Sequence, residues 1–543
     1  MRGFTPVSNP CKGAEDSRKR KRASCRSSAA EHRAARVMKL NPLLAGIAAL
    51  AIAAALWQLH VAGAGTRVTA VDIGGTPATI IRPTSAAPAP VVVIAHGFAG
   101  SQQLMQSFAL TFARNGYVAV TFDFPGHGRN PAPLAGSITD ANGATRTLVG
   151  ELARVAAFAR GLGDGRLAVL GHSMASDIVV RYAQAAPDVA ATIAVSMFSP
   201  AVTATSPANL LVIVGDWEGP LKREALRAVG LATAPVEPKP GVTYGEIAQG
   251  TGRRVAFSAH VEHASVLYSQ DSMREALGWL DQTFGTVRTA PPVLDGRGPW
   301  ILLLVAAVVL LARPLSGLLP RVAVPEVGAG LGWGRLWMPL LVPMIATPLL
   351  LRALPTHFLP VLVGDYLAAH FAMYGLITAI CLMWLRRRGI AALPGPVSAP
   401  ALAGASLAAI AFGFVGLVWP IDSFVTSFVP GPHRILLVVA MLGGTLLFFL
   451  SDEWLTRGPG AARGAYVASK LAFVVSLAIA VALDFERLFF LIIIVPVIVA
   501  FLLVYGLFSA WIYRRTGHPF VAGAANAVAF AWALGVTFPL LAG

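Results

Sequence analysis

Apolar residues in this chain follow two different rhythms. From Thr66 to Phe284 they come in short runs separated by amphipathic stretches, and from Pro299 onward they come in long, nearly uninterrupted runs. The short runs Arg67–Ile73, Pro77–Arg82, Val91–Ala95, Tyr117–Phe122, Leu167–Leu170, Ala191–Val195, Leu210–Val214 and Val255–Ala259 are rich in β-branched residues and predict eight strands. Helical spacing falls between them, at Gln102–Arg114, Thr145–Arg160, Ala175–Ala185, Leu221–Ala228 and Ser272–Phe284. Central strands that are apolar throughout, alternating with helices, predict a mostly parallel sheet covered on both faces. The Pro- and Gly-rich stretch Ala234–Gly252 reads as a loop excursion that either covers a site or leaves it open.

The long runs predict membrane spans, since a bilayer requires about 20 apolar residues per helix. Eight lie near 299–319, 335–353, 364–385, 399–419, 434–451, 467–484, 488–511 and 519–541, the second being short and broken by prolines. A further apolar segment, Leu43–Trp57, follows Lys39 and predicts a signal-anchor helix within 38–60, or a signal peptide cleaved near Ala62-Gly63-Ala64-Gly65. Residues 1–37 read as a basic disordered tail, or as sequence ahead of a true start at Met38. The organisation is then an anchor, an α/β domain over 66–286, a linker over 287–298 and an all-α bundle over 299–543.

Charge fits a membrane protein. The formal net charge of +16 is concentrated in residues 1–38, with ten Lys/Arg against three Asp/Glu, and in short loops of the apolar half, whereas residues 61–297 are balanced at 18 against 17. That distribution excludes a nucleic-acid footprint. Placing the α/β domain outside the cytoplasm puts Arg386-Arg387-Arg388, Arg457/Arg463 and Arg514-Arg515 inside, and Asp422, Asp484 and Glu486 outside, as the positive-inside rule requires. Within the spans, Asp365, Tyr366 and His370 are candidate functional groups, while Lys470 is expected to snorkel from a span end or to cap it. Of three cysteines, Cys11 and Cys25 lie in the tail and Cys381 in a span, so the α/β domain has neither a disulfide nor a cysteine nucleophile.

Candidate chemistry begins at Gly171-His172-Ser173-Met174-Ala175, a serine between small residues at a strand-to-helix turn. Acyl-transfer chemistry also needs a base, an acid that orients it and donors for an oxyanion. His263, after the last strand, is the favoured base, and His260 competes with it. Glu218 and Asp216, in the turn after Leu210–Gly215, are alternative acids; Glu218 is favoured by its spacing from Gly215. The N–H groups of Phe98, in His96-Gly97-Phe98, and of Met174 are candidate oxyanion donors, with His96 fixing that loop.

The runs His96-Gly97-Phe98, Phe122-Asp123-Phe124-Pro125-Gly126-His127-Gly128 and Gly171-His172-Ser173-Met174-Ala175, in the order serine, acid, histidine, resemble the α/β-hydrolase fold superfamily. The resemblance implies an eight-stranded sheet and a serine hydrolase with Ser173, His263 and Glu218 as triad and Phe98 and Met174 as oxyanion donors. Ala175 and a glutamate acid depart from the commoner pattern. No metal or cofactor is implied.

Two functions follow. One is a membrane-anchored serine hydrolase acting on an ester or thioester, with acyl transfer and peptide cleavage as related chemistries. The other makes the bundle a transporter or channel-like module with an exported binding or sensory domain. The sequence leaves the oligomeric state open.

Overall fold

The computed structural model describes residues 42–85, 87–137, 143–392 and 397–542. The tail over 1–37 and a start at Met38 lie outside the described residues. Helix α1 spans Pro42–Val61 and leads into a hairpin of β1 (Thr66–Ile73) and β2 (Thr76–Pro83). Its two-residue loop is Gly74-Gly75, with φ of +58° and +92°, the left-handed pair that a tight hairpin turn demands.

Seven further strands follow: β3 (Val91–Ala95), β4 (Val118–Phe122), β5 (Leu167–His172), β6 (Val189–Val195), β7 (Leu210–Gly215), β8 (Thr243–Tyr244) and β9 (Arg253–Ser258). They form one nine-stranded sheet in the order β1-β2-β4-β3-β5-β6-β7-β9-β8. From β4 to β9 neighbouring strands are parallel, and β1, β2 and β8 are antiparallel to their neighbours. The eight expected strands are present. The ninth, β8, is a two-residue edge pairing inside Ala234–Gly252. That segment does not cover the sheet edge that carries Ser173: Tyr244 pairs with Arg253, at the start of β9, and Asn209 at the start of β7 donates to the carbonyl of Ile247. Both contacts hold the excursion at the opposite end of the strands.

Helices α2 (Gln106–Arg114) and α6 (Gln270–Phe284) cover one face, and α3 (Ala144–Arg160) and α4 (Met174–Ala185) cover the other, with α5 (Gly219–Thr233) beside β7 and β9. Burial on both faces explains why β3, β4, β5 and β7 carry no alternation. Strand order reverses around β3, so the loops leaving β3 and β5 diverge and leave a crevice at their carboxyl ends.

The apolar half contains α7 (Arg297–Ser316), α8 (Trp333–Ala353), α9 (Gly364–Arg387), α10 (Ala399–Gly413), α11 (Trp419–Phe424), α12 (Ile435–Thr456), α13 (Ala465–Leu483), α14 (Phe485–Thr516) and α15 (Pro519–Thr537). A π-helical turn, Phe414–Val418, joins α10 to α11 into one span. With α1, nine helices among the described residues are long and apolar enough to cross a membrane, which makes this a multi-pass membrane protein. Helix α8 keeps its length despite Pro339, Pro343 and Pro348. Close packing rests on glycines: a β-carbon on Gly375 would stand 2.4 Å from backbone atoms of Leu447 and Phe448, and one on Gly444 would stand 2.3 Å from the Ala368 carbonyl.

Lys470 does not snorkel. It is 7 % exposed and pairs with Asp452, beside an Arg457–Glu453 pair at 3.0 Å. Meeting a carboxylate inside the bundle costs a lysine less than standing alone among apolar neighbours. Asp365 accepts a hydrogen bond from the Tyr366 N–H at the start of α9, and His370 bonds Ser476 at 3.1 Å.

Candidate active site

The turn after β5 forces Ser173 into φ +54°, ψ −116°, a backbone conformation that side chains rarely tolerate. Its N–H donates to the Val195 carbonyl at 2.9 Å, and its own carbonyl accepts from Ser176 N–H and Oγ. Gly171 is required because a β-carbon there would stand 2.3 Å from the Ala175 carbonyl oxygen. Ala175 itself is fully buried in α4, so its methyl is accommodated where the commoner pattern has glycine.

Ser173 Oγ lies 2.8 Å from His263 Nε2, and His263 Nδ1 lies 2.6 Å from Glu218 Oε1. The second Glu218 oxygen accepts from Gly215 N–H at 2.7 Å and from Ser196 Oγ at 2.8 Å. Burial alone would raise the Glu218 carboxyl, but the bonds from His263, Ser196 and Gly215 outweigh it and hold its pKa below the ordinary carboxylate value. Asp216 points elsewhere: it is exposed and pairs with Lys222 at 2.7 Å. The turn Glu218 N–H to Gly215 carbonyl, 3.0 Å, folds the glutamate back over the strand end. His260 sits exposed at φ +58°, and it is His263 that reaches the serine.

The His263 loop is held on two sides. Glu262 accepts from the N–H groups of Ala264 and Ser265 at 2.9 and 2.8 Å. His172 Nε2 donates to the His263 carbonyl at 3.0 Å, which fixes its tautomer. Burial pushes the His172 imidazole down to about 3, so it stays neutral. Sequence reasoning missed His172 and Ser196 as supports. Adjacency to the serine was a signal for the first, and nothing local marked the second, whose φ of +52° aims it at Glu218. Replacing His172 with Phe is expected to lower kcat by about 10- to 100-fold through misplacement of His263, with little change in KM. Steady-state kinetics separate that split from a general loss of fold.

Gly97 lies against Ser173, since a β-carbon there would stand 3.0 Å from Ser173 Cβ. The next residue, Phe98, has an N–H with no partner among the described residues. Met174 opens α4, so its N–H has no acceptor within the helix. His96 is fully buried; its Nδ1–H donates to the Gly97 carbonyl at 2.8 Å and its Nε2 accepts from Phe124 N–H at 3.1 Å. Asp123, also fully buried, accepts from the N–H groups of Gln102 and Arg129 at 2.8 and 3.0 Å. Together they lock the loops after β3 and β4 to each other.

These same loops meet the bundle. The Phe98 ring packs on Phe490 of α14, centroids 4.7 Å apart. Ser101 Oγ and Gln103 Oε1 accept hydrogen bonds from Ser427, N–H and Oγ respectively, at 2.8 and 2.9 Å, and Arg129 pairs with Asp422 at 2.6 Å. The Gly126 carbonyl accepts from buried Arg434 at 2.6 Å and from Leu540 N–H at 2.9 Å. The edge of the sheet that carries Ser173 therefore rests against one end of the helical bundle. Among the described residues there is no cluster of His, Cys, Asp or Glu suited to a metal.

Residues 86–231 match the sequence model of a hydrolase family described as serine aminopeptidase, S33. No curated protein matches the chain. Among solved structures, it is similar to a "predicted CIB-like hydrolase" of Thermoplasma acidophilum (15 % identity, 40 % of this chain and 98 % of that one, TM-score 0.32). A membrane phospholipase A described as a bacterial virulence factor gives 16 % identity over 44 % of this chain and 93 % of that one, TM-score 0.29. A mutant epoxide hydrolase of Vigna radiata gives 13 % over 40 % and 99 %, TM-score 0.28. These likenesses are confined to a part of the chain and carry no argument about its reaction. The sheet-bearing part of this chain has an α/β-hydrolase-like fold, matches that hydrolase family over residues 86–231, and is followed by a bundle of apolar helices.

Proposed function

We propose that the protein is a membrane-anchored serine hydrolase that cleaves an acyl ester or thioester of a lipid or envelope-linked molecule. The observation that carries this reading is the unbroken chain Ser173 Oγ, His263 Nε2, His263 Nδ1, Glu218 Oε1, with spacings of 2.8 and 2.6 Å. Ser173 Oγ attacks the acyl carbon as its proton passes to His263 Nε2, and the carbonyl oxygen takes the negative charge beside the N–H groups of Phe98 and Met174. Collapse expels the alcohol or thiol, which takes the proton from His263. Water, deprotonated by the same histidine, then releases the acid and restores the serine. Glu218 keeps Nδ1 protonated and balances the imidazolium.

A lipid-borne substrate is supported by the setting. The catalytic edge abuts the bundle, and Phe198 and Trp217, leaving β6 and β7 at that edge, are 64 % and 65 % exposed. Aromatic side chains of this kind favour the membrane–water boundary. Asp422, which pairs with Arg129 of the hydrolase domain, lies at the end of its span opposite the arginine-rich loops. That arrangement supports a domain outside the cytoplasm.

With the intact protein in nanodiscs, kcat/KM for p-nitrophenyl esters is expected to rise by about tenfold or more between C2 and C12 acyl chains, as each buried methylene contributes roughly 0.8 kcal/mol. Faster cleavage of aminoacyl p-nitroanilides than of any ester would replace this reading with a peptidase.

A further inference from the structure

The bundle holds a cavity of about 310 Å³ between α7, the α10–α11 span, α14 and α15, far from Ser173 in sequence and lined among others by Ala312, Ala409, Phe412, Phe508, Asn526 and Trp532. That volume lies within the roughly 300–1,000 Å³ of small-molecule sites. None of its lining residues is charged, which excludes an ionic solute. Its lining includes Leu315 and Leu318, both exposed on the protein surface.

Two features distinguish it from an accidental packing gap. Asn526, on the wall, is 1 % exposed, and among the described residues neither its amide nitrogen nor its carbonyl oxygen has a hydrogen-bond partner. An unpaired amide among apolar helices is costly unless a ligand satisfies it. In addition, the wall includes Phe414 and Val418 of the π-helical turn, a distortion that recurs at functional sites.

We propose that this cavity binds a single-chain lipid whose uncharged hydrogen-bonding end, a hydroxyl or a protonated carboxyl, meets Asn526. Seven residues separate Asn526 from Pro519 at the start of α15, a depth of about 10 Å along the helix. The ester groups of a diacyl lipid stay at the bilayer surface, whereas a fatty alcohol or fatty acid can bring its polar end to that depth. Tyr505, also on the wall, adds a hydroxyl-bearing side chain to the Asn526 amide.

The test uses the full-length Ser173→Ala protein in nanodiscs, so that binding is read without turnover. Diazirine-bearing hexadecanol, hexadecanoic acid and phosphatidylcholine are photolysed in separate samples, and adducts are mapped by peptide mass spectrometry. Adducts of the alcohol or the acid on cavity residues of α10 and α15, competed by unlabelled hexadecanol or hexadecanoic acid, are expected. The two probes separately report which polar end is taken. Asn526→Leu is expected to weaken competition by about three- to tenfold, the loss of one buried hydrogen bond, and Ala409→Trp to abolish the adducts by filling the space. Thermal midpoints show whether each variant is folded, and Ala529→Phe fills the same cavity should Ala409→Trp not be. Adducts confined to the outer flank, adducts undiminished in a folded filling variant, or equal labelling by phosphatidylcholine would each overturn the proposal.

Discussion

Ser173→Ala is expected to abolish labelling by a fluorophosphonate and to lower kcat by about 10³- to 10⁶-fold, leaving only what binding and the oxyanion donors supply. His263→Ala should cost a comparable factor, and the double variant little more than either alone, because the two groups act as a unit. The thermal midpoint should hardly move. Ser173 sits in a strained backbone conformation, and among the described residues its side chain makes one hydrogen bond, to His263. In whole cells a membrane-impermeant fluorophosphonate is expected to label the wild-type protein without permeabilisation. Labelling that survives Ser173→Ala would remove this serine as nucleophile, and labelling only after lysis would invert the topology.

The second large effect separates two neighbouring carboxylates. Glu218→Gln keeps the shape but no longer fixes the protonated Nδ1 of His263, and a loss of about 10⁴-fold in kcat is expected, as for other triads in which the acid becomes an amide. Asp216→Asn removes only an exposed pair with Lys222 and should leave kcat within about twofold, since exposed ion pairs contribute little. The pH dependence has a definite sign. The Glu218 carboxyl is held below its ordinary value in the folded protein, so its ionised form adds stability above the unfolded-state pKa. That increment is lost as pH falls through the folded-state value. Acid unfolding should therefore begin at higher pH in Ser196→Ala, which removes one of the bonds holding the carboxylate charged. Reversed ranking of the two carboxylate variants would reassign the acid to Asp216.

Much of this architecture was legible because its signals are local. The runs that became β3, β4, β5 and β7 are apolar but for Thr121 and the terminal His172, so they show no alternation that would mislead. Apolar length placed the spans within a few residues, even for α8, whose prolines interrupt the pattern without ending the helix. The serine turn was legible for the same reason: Gly171, Ser173 and Ala175 fall within five residues. What escaped was set by distance along the chain. Ser427 reaches back to Ser101 and Gln103, Asp422 to Arg129, and Arg434 to Gly126. No periodicity encodes a contact between residues about 300 positions apart. Ala234–Gly252 was read from composition alone, which marks a loop without saying which end of the sheet it serves. The choice between Asp216 and Glu218 turned on one backbone hydrogen bond, and Ser196 on a single left-handed φ.

The Phe98–Phe490 contact carries a consequence for how rates should be expressed. On the proposed reading, a catalytic edge seated on membrane helices would meet a lipid-borne substrate in two dimensions. The relevant concentration is then a mole fraction in the bilayer rather than a molarity in the surrounding water. Adding inert lipid at fixed total substrate would slow such an enzyme, while diluting the whole suspension would leave its turnover per molecule unchanged. A soluble enzyme of the same fold behaves in the opposite way on both counts, so surface dilution is the natural coordinate for this hydrolase domain.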